Sequence, residues 1–176
     1  MLQPSSLATD TTTSRGRTTG RSLVNFGNER DASYWSLKGG YEGLVSECEM
    51  LADNIATLLR EINEEFEALA YRSEHPDEFP EWLNEWWEAY LNLDQRFSLL
   101  DQGVKERLNR QDRRLAELDQ ERVALVQRWG AETAEHRGWL EMQRGDLPGA
   151  RQALKLRLDE AKLQLDELKR QSQSDK

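Results

Sequence analysis

From Leu44 onward the apolar residues return in alternating steps of four and three: Leu44, Cys48, Leu51, Ile55, Leu58, Ile62 and, past polar Glu65, Leu69. That spacing is a heptad seam, in which every first and fourth residue of a helix faces the same neighbour. Leu59 and Phe66 stand beside the seam and widen it. A widened stripe calls for two or more neighbours rather than one. The segment "SEHPDEFP", with two prolines among polar turn formers, ends this first helix near residue 72.

A second seam follows at once: Phe79, Leu83, Trp86, Tyr90, Leu93, Phe97, Leu100 and Val104. Trp86, Tyr90 and Phe97 lie on the seam, and Trp82 and Trp87 lie on its two shoulders. The aromatic cluster is thus first of all a broad core face. At Val104 to Leu108 a step of four follows a step of four, a stutter that shifts the register. Beyond it only Leu108, Leu115 and Leu118 continue the seam, which predicts a solvated spacer helix. Apolar residues resume at Val123 to Leu140, where Gly130 and Gly138 leave continuity open. Gly145-Asp146-Leu147-Pro148-Gly149 reads as a turn, with Asp146 as N-cap and Pro148 in the first helical turn. The last helix carries Leu154, Leu158, Ala161, Leu165 and Leu168 on one seam, and Leu156 and Leu163 on a minor stripe.

These patterns predict an all-α, elongated coiled-coil rod with helical hairpins and a disordered N-terminal tail. The helices are expected at about 41–72, 78–143 and 150–172 of a coiled-coil region 41–176. The tail, residues 1–40, is rich in Ser, Thr, Gly and Arg and has few groups that could offset the entropy of ordering. Its aromatic end (Tyr34, Trp35, Leu37) is expected to fold back as an apolar clasp about a Gly39-Gly40 hinge. The first helix would lie along the aromatic half of the second and the last along its far end. The spacer between them would then have no intramolecular neighbour.

Residues 137–161, "RGWLEMQRGDLPGARQALKLRLDEA", look like a single tetratricopeptide repeat, with Trp139-Leu140, Gly145-Asp146, Ala150 and Leu154 near that family's pattern. Glu141 stands where the repeat carries a small glycine, and no second repeat is visible. The resemblance implies a helix-turn-helix here. It implies no peptide-binding function, since such repeats need neighbours to stack on.

Charge and composition narrow the function. Hydrophobic residues make up 37% of the 176 and charged residues 32%, a balance suited to long solvent-washed helices. Five cations against three acids give residues 1–40 a charge of +2, leaving −11 of the net −9 to the body. Such a body repels nucleic acid and anionic membranes. Only Arg15, Arg17 and Arg21 offer a contact for an anionic partner, among Ser and Thr residues that could accept phosphate. No apolar run approaches a membrane span. A cytoplasmic setting is expected, with an organelle transit peptide in the tail as the lesser alternative.

The residues that could carry chemistry are few. Cys48 is the only cysteine and sits at a seam position, where a buried inert thiol is expected. His75 and His136 do not form the paired Glu-x-x-His motif of a bundle metal site and read as surface residues. The glycines of "GRTTGRS" lack the following Lys-Ser/Thr of a phosphate loop. No catalytic, cofactor-binding or metal-binding residues are assigned, and an enzyme is not expected. The expected function is that of a non-enzymatic scaffold or adaptor subunit whose seams are completed by other protein chains, as a homo-oligomer or in a hetero-complex. The expected contact residues are Trp82, Trp86, Trp87, Tyr90 and Phe97, with Leu154, Leu158 and Leu165 as a second seam. The alternative is a chaperone-like protein that holds a client peptide on the Trp-rich face.

Overall fold

In the computed structural model the described residues are 19–75, 77–78 and 81–174, with backbone alone for 19–28, 82, 83, 173 and 174. All their regular structure is helical. Helix α1 spans Thr19–Glu74, α2 spans Trp82–Trp129 and α3 spans Ala134–Ser174. At 56, 48 and 41 residues they are roughly 84, 72 and 62 Å long. No described helix is long and apolar enough to cross a membrane.

Three helices lie side by side, which differs from a rod with a hairpin at each end. α2 runs antiparallel to α1, as the contacts Tyr41–Asp119, Glu61–Arg96 and Arg72–Glu85 record. α3 runs antiparallel to α2, through Asp119–Arg144 and Asp112–Arg151, and so parallel to α1, through Asp31–His136 and Ala52–Arg157. α1 is the common support: both other helices pack on it extensively, and on each other far less.

The seam of α1 starts earlier than Leu44. Tyr34, Leu37 and Tyr41 continue it upstream in steps of three and four, and all are buried. The expected hinge at Gly39-Gly40 is uninterrupted helix. Gly40 is there for space: a Cβ at that position would lie 2.5 Å from Leu118 Cδ2. The apolar clasp is likewise replaced, since Tyr34 and Leu37 face the core as helical residues while Trp35 points largely to solvent. Of the tail, residues 1–18 lie outside the described residues.

Two further boundaries move. α2 stops at Trp129 because Gly130 takes φ 88°, a left-handed conformation that glycine adopts without strain. Thr133 then caps α3, its Oγ1 accepting the His136 N–H at 3.0 Å. α3 passes straight through the expected turn at 145–149 and carries Pro148 in its interior. Proline removes the N–H that would bond the Arg144 carbonyl. Tertiary packing outweighs that loss, because Leu140, Leu147, Leu154, Ala161 and Leu168 recur every seven residues and all are buried. With one continuous helix there is no helix-turn-helix, so the likeness to a tetratricopeptide repeat does not extend to structure.

Nor is the middle of α2 a bare spacer. Leu118 and Gln111 are buried between α1 and α3, Gln111 with 2% of its surface exposed. The stutter lets the seam continue from Leu108 through Gln111 to Leu115, so one core position is polar.

A candidate partner-binding groove

Two features tie α2 to α3 across α1, and what lies between them defines the site. Toward the α2–α3 turn the ties are polar. Gln111 donates from Nε2 to the Leu44 carbonyl (3.1 Å) and to Glu47 Oε1 (2.8 Å), while its Oε1 accepts from Cys48 Sγ (3.5 Å) and Arg151 Nε (3.2 Å). One amide thereby bonds residues of all three helices, which offsets the cost of burying it. Two turns on, Asp119 accepts from Tyr41 Oη at 2.6 Å and from Arg144 Nε and Nη2 at 2.9 and 2.8 Å. The Arg144 guanidinium, ahead of the Tyr41 hydroxyl, holds the Asp119 carboxyl below its ordinary range. Burial first, and then the bond to Asp119, pushes the Tyr41 hydroxyl upward.

At the opposite end the tie is apolar. Trp86, Tyr90 and Leu93 of α2 meet Leu58, Ile62 and Leu69 of α1 and Leu165 and Leu168 of α3 in one buried cluster. Trp86 is fully buried, and its ring stacks on Tyr90 at 5.6 Å between centroids.

Between α2 and α3 an opening remains, crossed near its middle by Arg151 on its way to Gln111 and Asp112. The opening is a groove of about 640 Å³, walled by Val104, Leu108 and Leu115 from α2 and by Leu147, Leu154 and Leu158 from α3. Pro148 also lines it. Each wall runs about four helical turns, roughly 22 Å. Every apolar residue on it is aliphatic and none is aromatic. Charged residues stand along both edges: Asp101 and Lys105 on α2, Arg144, Arg151, Lys155 and Asp159 on α3. Two of them reach across, Arg144 to Asp119 at 2.8 Å and Arg151 to Asp112 at 2.7 Å.

The residues expected to make partner contacts are thus divided. Leu154 and Leu158 border the groove, but Leu154 is fully buried in the chain's own core and Leu158 alone is half-buried there. Trp86, Tyr90 and Leu165 are buried inside the chain's own core. Phe97 is half-buried and packs against both core clusters, and half-buried Trp87 stacks on Tyr90 at 5.3 Å. The side chain of Trp82 is outside the described set, as is that of Arg21; Arg15 and Arg17 are outside it altogether. Val104, Leu108, Leu115, Leu147 and Pro148 were not among the expected contacts. Leu108 and Leu115, seven residues apart, carried the signal, but as a narrow seam with no visible partner.

Other chemistry is sparse. No group of three or more His, Cys, Asp or Glu side chains suited to a metal ion occurs among the described residues. Cys48 is buried, and burial pushes its thiol up and away from the reactive thiolate. His136 is a core residue rather than a surface one: its Nε2 lies 2.9 Å from Asp31 Oδ1 and its ring stacks on Tyr34 at 4.2 Å. His75 sits in the α1–α2 turn with Nδ1 at 2.9 Å from the Tyr71 carbonyl oxygen. Comparison of the chain with protein-family models, curated proteins and solved structures gave no match.

Proposed function

We propose that the chain is a non-catalytic helical adaptor that receives one amphipathic helix of a partner protein in the groove between α2 and α3. The observation that carries this reading is the opening between those two helices, where Leu108, Leu115 and Leu158 stay partly exposed beside the buried Val104, Leu147 and Leu154, with no further helix against them among the described residues. A helix laid there would convert the three-helix arrangement into a four-helix bundle. Leucine-type residues at steps of three and four match the aliphatic walls. The acidic charge of the body, the single buried thiol and the expected cytoplasmic setting all accord with a subunit of a reduced, aqueous assembly. The client-holding alternative rested on an accessible Trp-rich face. It loses that support, because Trp86 and Tyr90 already complete the chain's own core.

The test is a titration of isotope-labelled protein with a helical peptide of about five turns bearing leucines at heptad a and d positions. Amide shifts confined to 101–115 and 144–159 are expected, and Leu158→Arg should abolish them without loss of helicity. Saturating peptide with no shifts, or with shifts elsewhere, would remove the groove as the docking site.

A further inference from the structure

We infer that two copies of the chain exchange their α3 helices, with residues 130–133 as the hinge. In the exchanged pair α2 and α3 of each copy form one helix, and α3 packs on the α1–α2 hairpin of the other copy. α3 is supported by α1 far more than by α2. Its contacts Asp31–His136 and Ala52–Arg157 reach a helix remote from it in sequence. A second copy presents the same surfaces, so exchange preserves these contacts. Only residues 130–133 separate Trp129 from Ala134, and the break is made by Gly130 at φ 88°. Ala131 and Glu132 within it are good helix formers.

The buried faces of α2 and α3 also stay in phase across the break. Buried Leu118, half-buried Leu125 and buried Trp129 are followed by buried His136, Leu140 and Leu147, in steps of seven, four, seven, four and seven. Seven residues fall about 20° short of two full helical turns. A reversing loop needs no such match, because it resets the rotation of the helix that follows. A continuous helix does need it. The two long helices, roughly 140 Å each, would run antiparallel about a two-fold axis at the hinge. That symmetry sets both α1 helices on one side of the pair, so the buried faces of α2 and α3 must look the same way. The first turns of the two α1 helices, which overshoot α2 and α3, would meet at that axis. Each groove would then be walled by α2 of one copy and α3 of the other, giving the dimer two. The closed chain is held by Arg122, which donates to Glu132 at 2.6 and 2.8 Å, and by Arg30 Nη2, which donates to the Ala131 carbonyl at 2.7 Å. A straight helix sets residues 122 and 132 roughly 15 Å apart and gives up that pair, while residues 130–133 gain helical hydrogen bonds. The balance between the two forms is therefore set by concentration and by the hinge.

The test is the mass of the full chain by light scattering after refolding from urea over a range of concentrations. The unaltered chain should give a dimer that grows with concentration. Gly130→Ala strains the closed hinge at φ 88° and suits a continuous helix, so it should raise the dimer-to-monomer ratio at least about 10-fold. Three residues, Gly-Ser-Gly, inserted after Gly130 relax the turn and interrupt the long helix, and should lower the ratio. Spin labels identify what is exchanged. Leu99 and Leu163 are exposed, Cys48 is buried, and the Asp119–Arg144 and Asp112–Arg151 pairs set residues 99 and 163 level in the closed chain. Within one exchanged chain the two positions would lie roughly 96 Å apart. Chains labelled at Leu99→Cys alone and at Leu163→Cys alone are mixed, unfolded and refolded together. The dimer should then show, between differently labelled chains, the distance measured within a doubly labelled monomer. A dimer lacking that distance, or no dimer from either the unaltered or the Gly130→Ala chain, would overturn the inference and leave the groove reading intact.

Discussion

Gly39 and Gly40 are neighbours in sequence with opposite duties in α1, so alanine at each should act with opposite sign. A Cβ at Gly39 meets nothing within 4 Å. Alanine there gains only helix propensity, worth about 1 kcal/mol. At Gly40 the same gain is set against a Cβ 2.5 Å from Leu118 Cδ2 and 3.3 Å from Cδ1. Leu118 is buried and cannot swing into solvent, so the crowding should cost about 1–3 kcal/mol. Gly40→Ala should therefore be less stable than Gly39→Ala by about 1–3 kcal/mol, a melting difference of roughly 2–12 °C for a chain of this size. The assay is urea unfolding followed by circular dichroism, with the slope m checked for constancy. A double-mutant cycle isolates the cause: with Leu118→Ala as background the clash is gone, and Gly40→Ala should then stabilise by about 1 kcal/mol. Equal effects at the two glycines, or no coupling to Leu118, would refute the close approach of α1 and α2 at this point and with it the continuity of α1.

Two other perturbations test the core and its polar ties. Trp86→Ala empties a fully buried ring position and should cost about 3–5 kcal/mol in thermal or urea unfolding; a negligible change would mean that Trp86 does not hold α1, α2 and α3 together. Asp119 and Glu132 both have carboxyls held low, chiefly by hydrogen bonds from Arg144 and Arg122 respectively. Their depressed folded values mean that the stability they contribute is present above the ordinary carboxyl value of about 4 and is lost as pH falls through the folded values. An Asp119→Asn, Glu132→Gln variant should accordingly lose less stability than the unaltered chain on acidification below about pH 4, measured by urea unfolding at each pH.

Helicity and the faces of the helices were legible because the spacing of apolar residues reports which side of a helix meets a neighbour. The aromatic face through Trp86 and Tyr90 was read as a broad core for that reason, and it is one. What misled were residues with strong local preferences. Glycine at 39 and 40 and proline at 148 signal breaks when read locally, yet the seams through Tyr34, Leu37 and Tyr41 and through Leu147 and Leu154 run on across them. Packing over many turns outweighs a cost confined to one. The polar residues on seams were opaque for another reason. Gln111 Nε2 and His136 Nε2 are bonded by partners more than sixty residues away, and no local pattern records such partners. The groove belongs to this class: its walls come from α2 and α3, and only their relative placement on α1 leaves Leu108, Leu115 and Leu158 facing a gap.

The parallel course of α1 and α3 bears on the order in which the chain assembles. Antiparallel α1 and α2 can zip from the short connection between Glu74 and Trp82, each new pairing closing a loop only slightly longer than the last. No such local route joins α3 to α1, because their contacts at Asp31–His136 and Ala52–Arg157 each span 105 residues. Loop closure over that distance is entropically costly until α2 is already in place to bring α3 back alongside α1. Pairing of α3 with α1 therefore favours a chain in which α2 is already helical and packed, and the walls of the groove come into register when α1, α2 and α3 meet.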